Sequence, residues 1–178
     1  MSDDPSASAA SATPRRRLIL DAERCTSCLQ CEMACSLRQE GLFAPAFSRI
    51  KVFEFEHGRR NVPYTCTQCE EAWCLHACPV DAISINATLG TKVVDESVCV
   101  GCRVCTIACP YGTINFNTRS GKVVKCDLCD GDPACAEACP TGAIVWGVPG
   151  TSAAGAASTA SDASGADAAA GTPAGGGA

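Results

Sequence analysis

The chain has 178 residues, of which sixteen are cysteine, and its formal net charge is −5. Leu, Ile, Val and Phe together number only 32 residues, a share at which a chain of this length has difficulty building a conventional apolar core. The acidic balance and the lack of a recognition motif argue against nucleic acid as a partner. Cysteine chemistry is therefore expected to organise the fold.

The two ends of the chain have a simple composition. Residues 1–14 are built from Met, Ser, Asp, Pro, Ala and Thr, and residues 151–178 from Ala, Gly, Ser, Thr, Asp and one Pro. Both are predicted to be disordered tails, and the C-terminal one is rich in Ala and Gly. All sixteen cysteines and all fourteen basic residues lie in 15–150, which is predicted to be one folded domain.

The N-terminal region gives no sign of export. Three arginines at 15–17 are followed by an apolar run of only three residues, 18–20, which is too short for a secretory signal or a bilayer span. We therefore expect a cytoplasmic protein without a membrane span. Stable disulfides are rare in that compartment, so the cysteines are expected to bind metal.

The cysteines fall into four blocks of four, with none left over. Block one is Cys25-x2-Cys28-x2-Cys31-x3-Cys35, block two is Cys66-x2-Cys69-x4-Cys74-x3-Cys78, block three is Cys99-x2-Cys102-x2-Cys105-x3-Cys109, and block four is Cys126-x2-Cys129-x5-Cys135-x3-Cys139. Proline follows the last cysteine of blocks two, three and four. This spacing is typical of [4Fe–4S] ligation, in which three cysteines hold one cube and the fourth reaches a different one.

Two other kinds of cysteine site fit the spacing less well. Structural zinc commonly uses two C-x2-C pairs separated by a dozen or more residues. Four cysteines within a short segment, repeated and followed by proline, are unlike that pattern, and a disulfide framework is less favoured still. Zinc binding is thus the minor alternative to four iron–sulfur clusters.

Proline also predicts the local structure after each block. It restricts the preceding cysteine to an extended backbone, so a short helix should end there and lead into a strand. Strands are expected where the β-prone residues 83–85, 114–116 and 144–146 follow, and 49–56 alternates like a strand. Trp73 and Trp146, which lie close to the blocks, are expected to pack against clusters.

Linker lengths bear on which blocks pair. Twenty residues separate blocks two and three, enough for strands at 83–86 and 92–95 joined by a turn, as in a two-cluster ferredoxin. Blocks one and four would then form a second lobe around the first. The sixteen residues between blocks three and four would also permit those two to pair, so linker length leaves both arrangements open.

The four blocks, together with Gly41-Leu42-Phe43-x-Pro45-x2-Ser48-Arg49-Ile50, carry a resemblance to a known family. Over about 17–148 the chain resembles the four-cluster, ferredoxin-type iron–sulfur subunits of the dimethyl sulfoxide reductase and formate dehydrogenase family. Such subunits accompany molybdenum and tungsten oxidoreductases. The short, soluble branch found beside aldehyde oxidoreductases, carbon monoxide dehydrogenases and hydrogenases is the most similar.

The resemblance implies an α+β fold with two pseudo-symmetric ferredoxin-like lobes, outer blocks one and four in one and inner blocks two and three in the other. It implies short strands and helices around four [4Fe–4S] clusters. The four ligand sets carried over from the family are Cys25, Cys28, Cys31 and Cys139; Cys126, Cys129, Cys135 and Cys35; Cys66, Cys69, Cys74 and Cys109; and Cys99, Cys102, Cys105 and Cys78.

The resemblance further implies a non-catalytic subunit that relays single electrons. A tungsten or molybdenum aldehyde oxidoreductase is the candidate catalytic partner, and ferredoxin, a flavin or NAD subunit, or another copy of the chain is the candidate acceptor. The alternative is a freestanding polyferredoxin, or a protein serving carbon monoxide dehydrogenase, formate dehydrogenase or hydrogenase.

Two further expectations concern the surface and the charges. A dedicated subunit should carry an apolar docking patch, whereas a freestanding carrier should have an acidic surface without one. Basic residues are expected to offset the negative charge of the clusters. Arg103, inside the loop of block three, is the candidate that raises the potential of its cluster, with a solvated loop arginine as the alternative.

Overall fold

The structure is a computed structural model, and it describes residues 15–150. The predicted tails at 1–14 and 151–178 lie outside the described residues. The described part is a small mixture of short helices and short strands, which confirms the predicted α+β class.

The helices within 15–150 are α1 (Gln30–Glu40), α2 (Trp73–His76), α3 (Val104–Ala108) and α4 (Ala134–Glu137), with 3₁₀ turns at Pro45–Phe47 and Leu128–Gly131. The strands are β1 (Arg17–Leu20), β2 (Ile50–Phe55), β3 (Arg60–Thr65), β4 (Ile83–Ile85), β5 (Lys92–Val94), β6 (Asn115–Asn117), β7 (Lys122–Val124) and β8 (Ile144–Gly147). Each cysteine block contributes one helix, and blocks two, three and four are each followed by a strand, as the proline pattern predicts.

The strands form four antiparallel pairs. Three are hairpins, in which β2 pairs with β3, β4 with β5 and β6 with β7. The fourth joins the two ends of the described chain, because β1 pairs with β8 and places Leu18 opposite Trp146. The predicted strands at 49–56, 83–86 and 92–95 are confirmed as β2, β4 and β5.

Helix ends follow the local sequence. Helix α1 ends at Gly41, whose φ of +70° suits a residue without a side chain and whose N–H donates to the Leu37 carbonyl. Helix α3 ends at Cys109, which is extended at ψ 112° because proline follows it. The long α1 and the three one-turn helices therefore all end close to the last cysteine of their block or soon after it.

Cysteine supplies much of the interior. One apolar cluster contains Cys74, Cys99 and Cys105 among its eight buried members, and a second contains Cys31, Cys35 and Cys135 among five. Helix α2 packs against α3 beside the first cluster, and α1 packs against α4 beside the second. The shortage of large aliphatic residues is thus met by thiol groups.

The expectation for Trp73 is wrong. Its side chain is 61% exposed, because the single turn of α2 directs the next residue, Cys74, inward and leaves Trp73 facing solvent. Trp146 is half-buried on β8, and the Arg16 guanidinium lies 5.3 Å from the centre of its ring.

Candidate metal centres

All sixteen cysteines lie within the described residues and none is in a disulfide. Seven of them are buried, and only Cys28 and Cys102 are exposed. Both exposed cysteines occupy the same place, the second position of a C-x2-C-x2-C loop. The other seven cysteines are half-buried, so full exposure is confined to one point in block one and one in block three.

The four blocks share a backbone feature. The residue before the second cysteine has positive φ in every block: Ser27 at 55°, Gln68 at 53°, Gly101 at 72° and Leu128 at 62°. Left-handed residues among right-handed ones turn successive N–H groups toward one side, which forms an anion-binding concavity. Only one of the four residues is glycine, so residue type did not reveal this feature.

Gly101 is the position where a side chain is least tolerable. A Cβ there would lie 2.3 Å from the carbonyl oxygen of Gly121, which no real contact allows. The turn between β6 and β7 therefore closes directly over the loop of block three. Gly112 provides a contrast, since it has φ +62° but open space around the position of its Cβ.

The last cysteine of each block has a polar neighbour. The N–H of Arg49 donates to Cys35 Sγ, and that of Ala82 to Cys78 Sγ, both over 3.3 Å. The Thr113 hydroxyl lies 3.5 Å from Cys109 Sγ, and the Thr141 hydroxyl lies 3.7 Å from Cys139 Sγ. Such donors suit a sulfur that carries negative charge, as a metal-bound thiolate does.

Burial controls the acidity of the innermost thiols. Desolvation raises the pKa of Cys31 and of Cys126 to about 12, and that of Cys105 to about 11. Desolvation also acts on Cys109, but the Thr113 hydroxyl and nearby N–H groups outweigh it, so its pKa falls. The innermost thiols would be protonated at neutral pH on their own, whereas metal coordination deprotonates a thiol.

The structure brings cysteines of different blocks together, close enough to act on one another electrostatically. Cys31 is close to Cys25 and Cys139; Cys135 to Cys35, Cys126, Cys129 and Cys31; Cys74 to Cys66 and Cys109; and Cys105 to Cys78, Cys99 and Cys102. Cys69 lies near Tyr64, as do Cys66 and Cys109. In each group the last cysteine of one block meets cysteines from the first three positions of another.

The group around Cys105 lines a recess. It is lined by Cys78, Cys99, Cys102 and Cys105, and its remaining walls are apolar apart from Arg103. Within 15–150, no three Cys, His, Asp or Glu side chains converge tightly enough to hold a single metal ion. A [4Fe–4S] cube binds each of its four thiolates through a different iron. Four thiols spread around a sheltered recess therefore fit this group.

Arg103 lies at the rim of that recess. Its guanidinium carbon is 3.6 Å from the centre of the Phe116 ring, and the side chain as a whole is exposed. A cation stacked on an aromatic ring is held in place. A role for Arg103 in tuning the cluster stays a prediction.

Arg49 is a second cation near the cysteines, and sequence analysis did not assign it a role. Its guanidinium pairs with Asp127 at 2.9 Å and with Glu96 at 3.9 Å. Asp127 also accepts a hydrogen bond from the N–H of Cys129. The charge of Arg49 is therefore balanced by carboxylates while it ties β2 to block four.

A group of one half-buried and three buried residues joins block two to block four, and we name it the Lys125 junction: Gln68, which is half-buried, and Lys92, Lys125 and Cys126, which are buried. Lys125 Nζ donates to the carbonyl oxygens of Lys92 and Cys126 and lies 3.5 Å from Gln68 Oε1. Gln68 Nε2 donates to the Cys126 carbonyl. Burial raises the pKa of the nearby Cys74 thiol, and the Lys125 ammonium opposes that rise. In the sequence, the only sign of this junction is that Lys125 directly precedes Cys126.

Residues 59–148 match the family model of the 4Fe-4S dicluster domain, and residues 22–38 match that of a 4Fe-4S binding domain. The chain belongs to the 4Fe-4S dicluster family. Together with the sixteen free cysteines, this membership shows a ferredoxin-like iron–sulfur protein that binds multiple [4Fe–4S] clusters.

Curated relatives extend this result. The chain is 43% identical over 109 residues to the aliphatic sulfonate oxidoreductase polyferredoxin-like subunit of Pyrococcus furiosus, covering 61% of this chain and 62% of the relative. It is 34% identical over 128 residues to the B subunit of the anaerobic dimethyl sulfoxide reductase of Escherichia coli, covering 64% and 61%. The chain thus spans about three fifths of the length of the curated relatives it matches.

Among solved structures, the BamBC active site complex of benzoyl coenzyme A reductase, in complex with zinc, aligns at a TM-score of 0.43 with 26% identity. The alignment covers 74% of this chain and 77% of the other. In the part of the chain that the structure describes, no helix has the length and apolar character to cross a membrane.

Proposed function

We propose that this chain is a non-catalytic iron–sulfur subunit that relays single electrons between a catalytic oxidoreductase subunit and a downstream acceptor. Four bound [4Fe–4S] clusters would supply the one-electron redox centres, while the chain supplies their position, shielding and electrostatic surroundings. The names of the relatives, a polyferredoxin-like subunit of one oxidoreductase and the B subunit of another, support this role.

The observation that carries the proposal is the meeting of cysteines from different blocks. The groups around Cys31, Cys74 and Cys105 each contain cysteines of one ligand set implied by the family resemblance, without Cys28 and Cys69. The group around Cys135 contains the whole of its set together with Cys31. The packing of α1 on α4 and of α2 on α3 favours an outer lobe and an inner lobe over a pairing of blocks three and four. We therefore retain the sixteen cysteines as ligands in those sets.

The same contacts suggest an order for the sites. Cys126 of one set acts electrostatically on Cys66 of another, and Cys135 is likewise close to Cys31. The sets that contain Cys102 and Cys28 are then at the two ends of the series. These ends also hold the two exposed cysteines, so electrons would enter and leave there.

The surface around Cys102 favours a dedicated subunit over a freestanding carrier. We name four exposed aliphatic side chains the block-three face: Val98, Val100, Val104 and Ile107. Ile107 is 87% exposed, on a helix that carries two of the proposed ligands at or beside its ends. The four residues lie within ten positions of one another around Cys102, and exposed apolar patches commonly mark a protein interface. This face is the proposed docking site for a partner.

The identity of the partner is the finer part of the proposal. A tungsten or molybdenum aldehyde oxidoreductase in the cytoplasm remains the candidate, with ferredoxin, a flavin or NAD subunit, or another copy of the chain as acceptor. The relatives are subunits of oxidoreductases whose names give other substrates, a sulfonate and dimethyl sulfoxide. The substrate that reduces the clusters in the purified complex identifies the partner's substrate class.

The test begins with anaerobic affinity purification of the tagged full chain from its native cell. We expect a large oxidoreductase to co-purify, and we expect its substrate to bleach the visible absorption of the clusters in the complex. A substrate that reduces the catalytic subunit but leaves the clusters oxidised would contradict the relay. Recovery of the chain alone, in a form that exchanges electrons with ferredoxin, would favour the freestanding carrier.

A further inference from the structure

Lys125 is the most deeply buried charged side chain of the described residues. It follows β7, and only 2% of its surface is accessible to solvent. The acceptors around its ammonium are the carbonyls of Lys92 and Cys126 and the side-chain amide oxygen of Gln68. All three are neutral.

No carboxylate forms an ion pair with this ammonium in residues 15–150. The ion pairs described there involve Arg49 and Lys51, and neither Lys125 nor its buried neighbour Lys92 takes part in one. Placing an unpaired ammonium in a protein interior costs several kcal/mol. Neutral hydrogen-bond acceptors reduce this cost, but they do not cancel the charge.

The position of Lys125 shows where the missing negative charge would come from. Its ammonium contacts the backbone of Cys126 and, through Gln68, the segment between Cys66 and Cys69. These cysteines belong to the two central ligand sets of the proposed function. A cube with four thiolates carries net negative charge, and that charge increases on reduction.

From this geometry we infer that Lys125 is the buried counter-charge of the two central clusters and raises their reduction potentials. The inference rests on the ligand sets of the proposed function. Lys125 touches neither substrate nor partner, so it is a positioning and tuning residue. Gln68 holds it in place, because Gln68 accepts from the N–H of Lys92 at 2.9 Å and donates to the Cys126 carbonyl.

Two other cations close to the cysteines do not share this situation. The charge of Arg49 is balanced by Asp127 and Glu96. Arg103 is exposed, and solvent screens the charge of an exposed group. Lys125 alone among the three is both buried and uncompensated, so its removal should have the largest effect on the potentials.

The test is a redox titration of the anaerobically prepared full chain, followed by electron paramagnetic resonance, for Lys125→Met, Lys125→Arg and the wild type. We expect Lys125→Met to lower the equilibrium constant for one-electron reduction of at least one central cluster by tenfold or more, or 59 mV. Lys125→Arg keeps the charge and should remain within threefold of the wild type. Arg59→Met removes an exposed charge and serves as the matched control.

Iron content and resistance to guanidinium, measured on the same samples, separate tuning from a purely structural role. Loss of stability with unchanged potentials in Lys125→Met would overturn the inference. If that variant assembles no clusters, Lys125→Gln decides, since it removes the charge but keeps a donor for the carbonyls of Lys92 and Cys126. Lower potentials in Lys125→Gln support the inference, and unchanged potentials overturn it. These potentials are measured without a partner, so the result is independent of whether the complex relays electrons.

Discussion

The block-three face and the Lys125 junction lie at opposite extremes of burial. At the face, Cys102 is exposed and Ile107 extends into solvent. At the junction, Lys125 and Cys126 are buried and polar groups are held by hydrogen bonds. An end of the relay needs access to a partner, whereas its middle needs compensation of charge away from water. The difference suggests that exposure and charge, more than fold, separate the roles of otherwise similar cysteine blocks.

The strongest test of this comparison replaces one cysteine in each region. Cys126→Ser removes a proposed ligand at the buried junction and leaves a hydroxyl where ligands of two sets approach one another. We expect it to cost more than one cluster, because both central sets meet there. Cys102→Ser, at the exposed end, should cost at most one cluster, about four irons.

Iron and sulfide analysis, with absorption spectra of the anaerobically purified variants, checks this difference. Folding of both variants is compared by circular dichroism. Equal iron contents in Cys126→Ser and Cys102→Ser would show that the two regions are not distinct.

A second test adds a methyl group to the loop of block three, where the β6–β7 turn lies against it. Gly101→Ala forces a Cβ against the Gly121 carbonyl at φ +72°, so loop and hairpin must separate. We expect a loss of about 3 kcal/mol, combining the strain of a left-handed residue with the clash. Gly112→Ala, which adds a Cβ in open space at φ +62°, should cost about 1 kcal/mol.

The rate of cluster loss in guanidinium, followed by visible absorption, measures both glycine variants. Faster loss in Gly112→Ala than in Gly101→Ala would contradict the close approach of the β6–β7 turn to block three.

A third test changes the face without touching the junction. Ile107→Glu introduces a charge at an 87% exposed position, so stability should change by less than about 0.5 kcal/mol. Binding to the co-purified partner should weaken by about tenfold, or 1.4 kcal/mol. Phe55→Glu, at an exposed position on the β2–β3 hairpin, is the control.

Isothermal titration calorimetry with the purified partner gives both affinities. Equal affinity of Ile107→Glu and the wild type for the partner would show that the docking site does not lie at the block-three face.

The smallest expected effect concerns one hydroxyl. Thr113→Val removes the group 3.5 Å from Cys109 Sγ and should lower the potential of the cluster held by Cys109, since hydrogen bonds to sulfur raise it. We expect a change in potential smaller than that of Lys125→Met, because Thr113→Val removes only a hydroxyl dipole whereas Lys125→Met removes a full charge. Redox titration beside the exposed control Thr118→Val checks it, and a rise in potential would contradict the account.

The features that residue spacing alone determines could be predicted from the sequence. The blocks, the helix end at Cys109 and the hairpin of β4 and β5 follow from cysteine and proline positions. These features are local, so neighbouring residues suffice to predict them.

Other features depend on contacts between distant segments. Nothing in the sequence near Lys125 indicates that the carbonyl of Lys92, 33 positions earlier, accepts its ammonium. The positive φ of Gln68 is imposed by the loop rather than by residue type. Trp73 was misplaced because a one-turn helix has too few residues for periodicity to show which side faces the interior.

Mössbauer spectroscopy of the anaerobically purified, ⁵⁷Fe-labelled full chain tests the central claim most directly. The account predicts about one iron for each of the sixteen cysteines, all in [4Fe–4S] clusters that accept one electron each. A colourless protein that binds zinc, or an iron content that accounts for only two clusters, would contradict it.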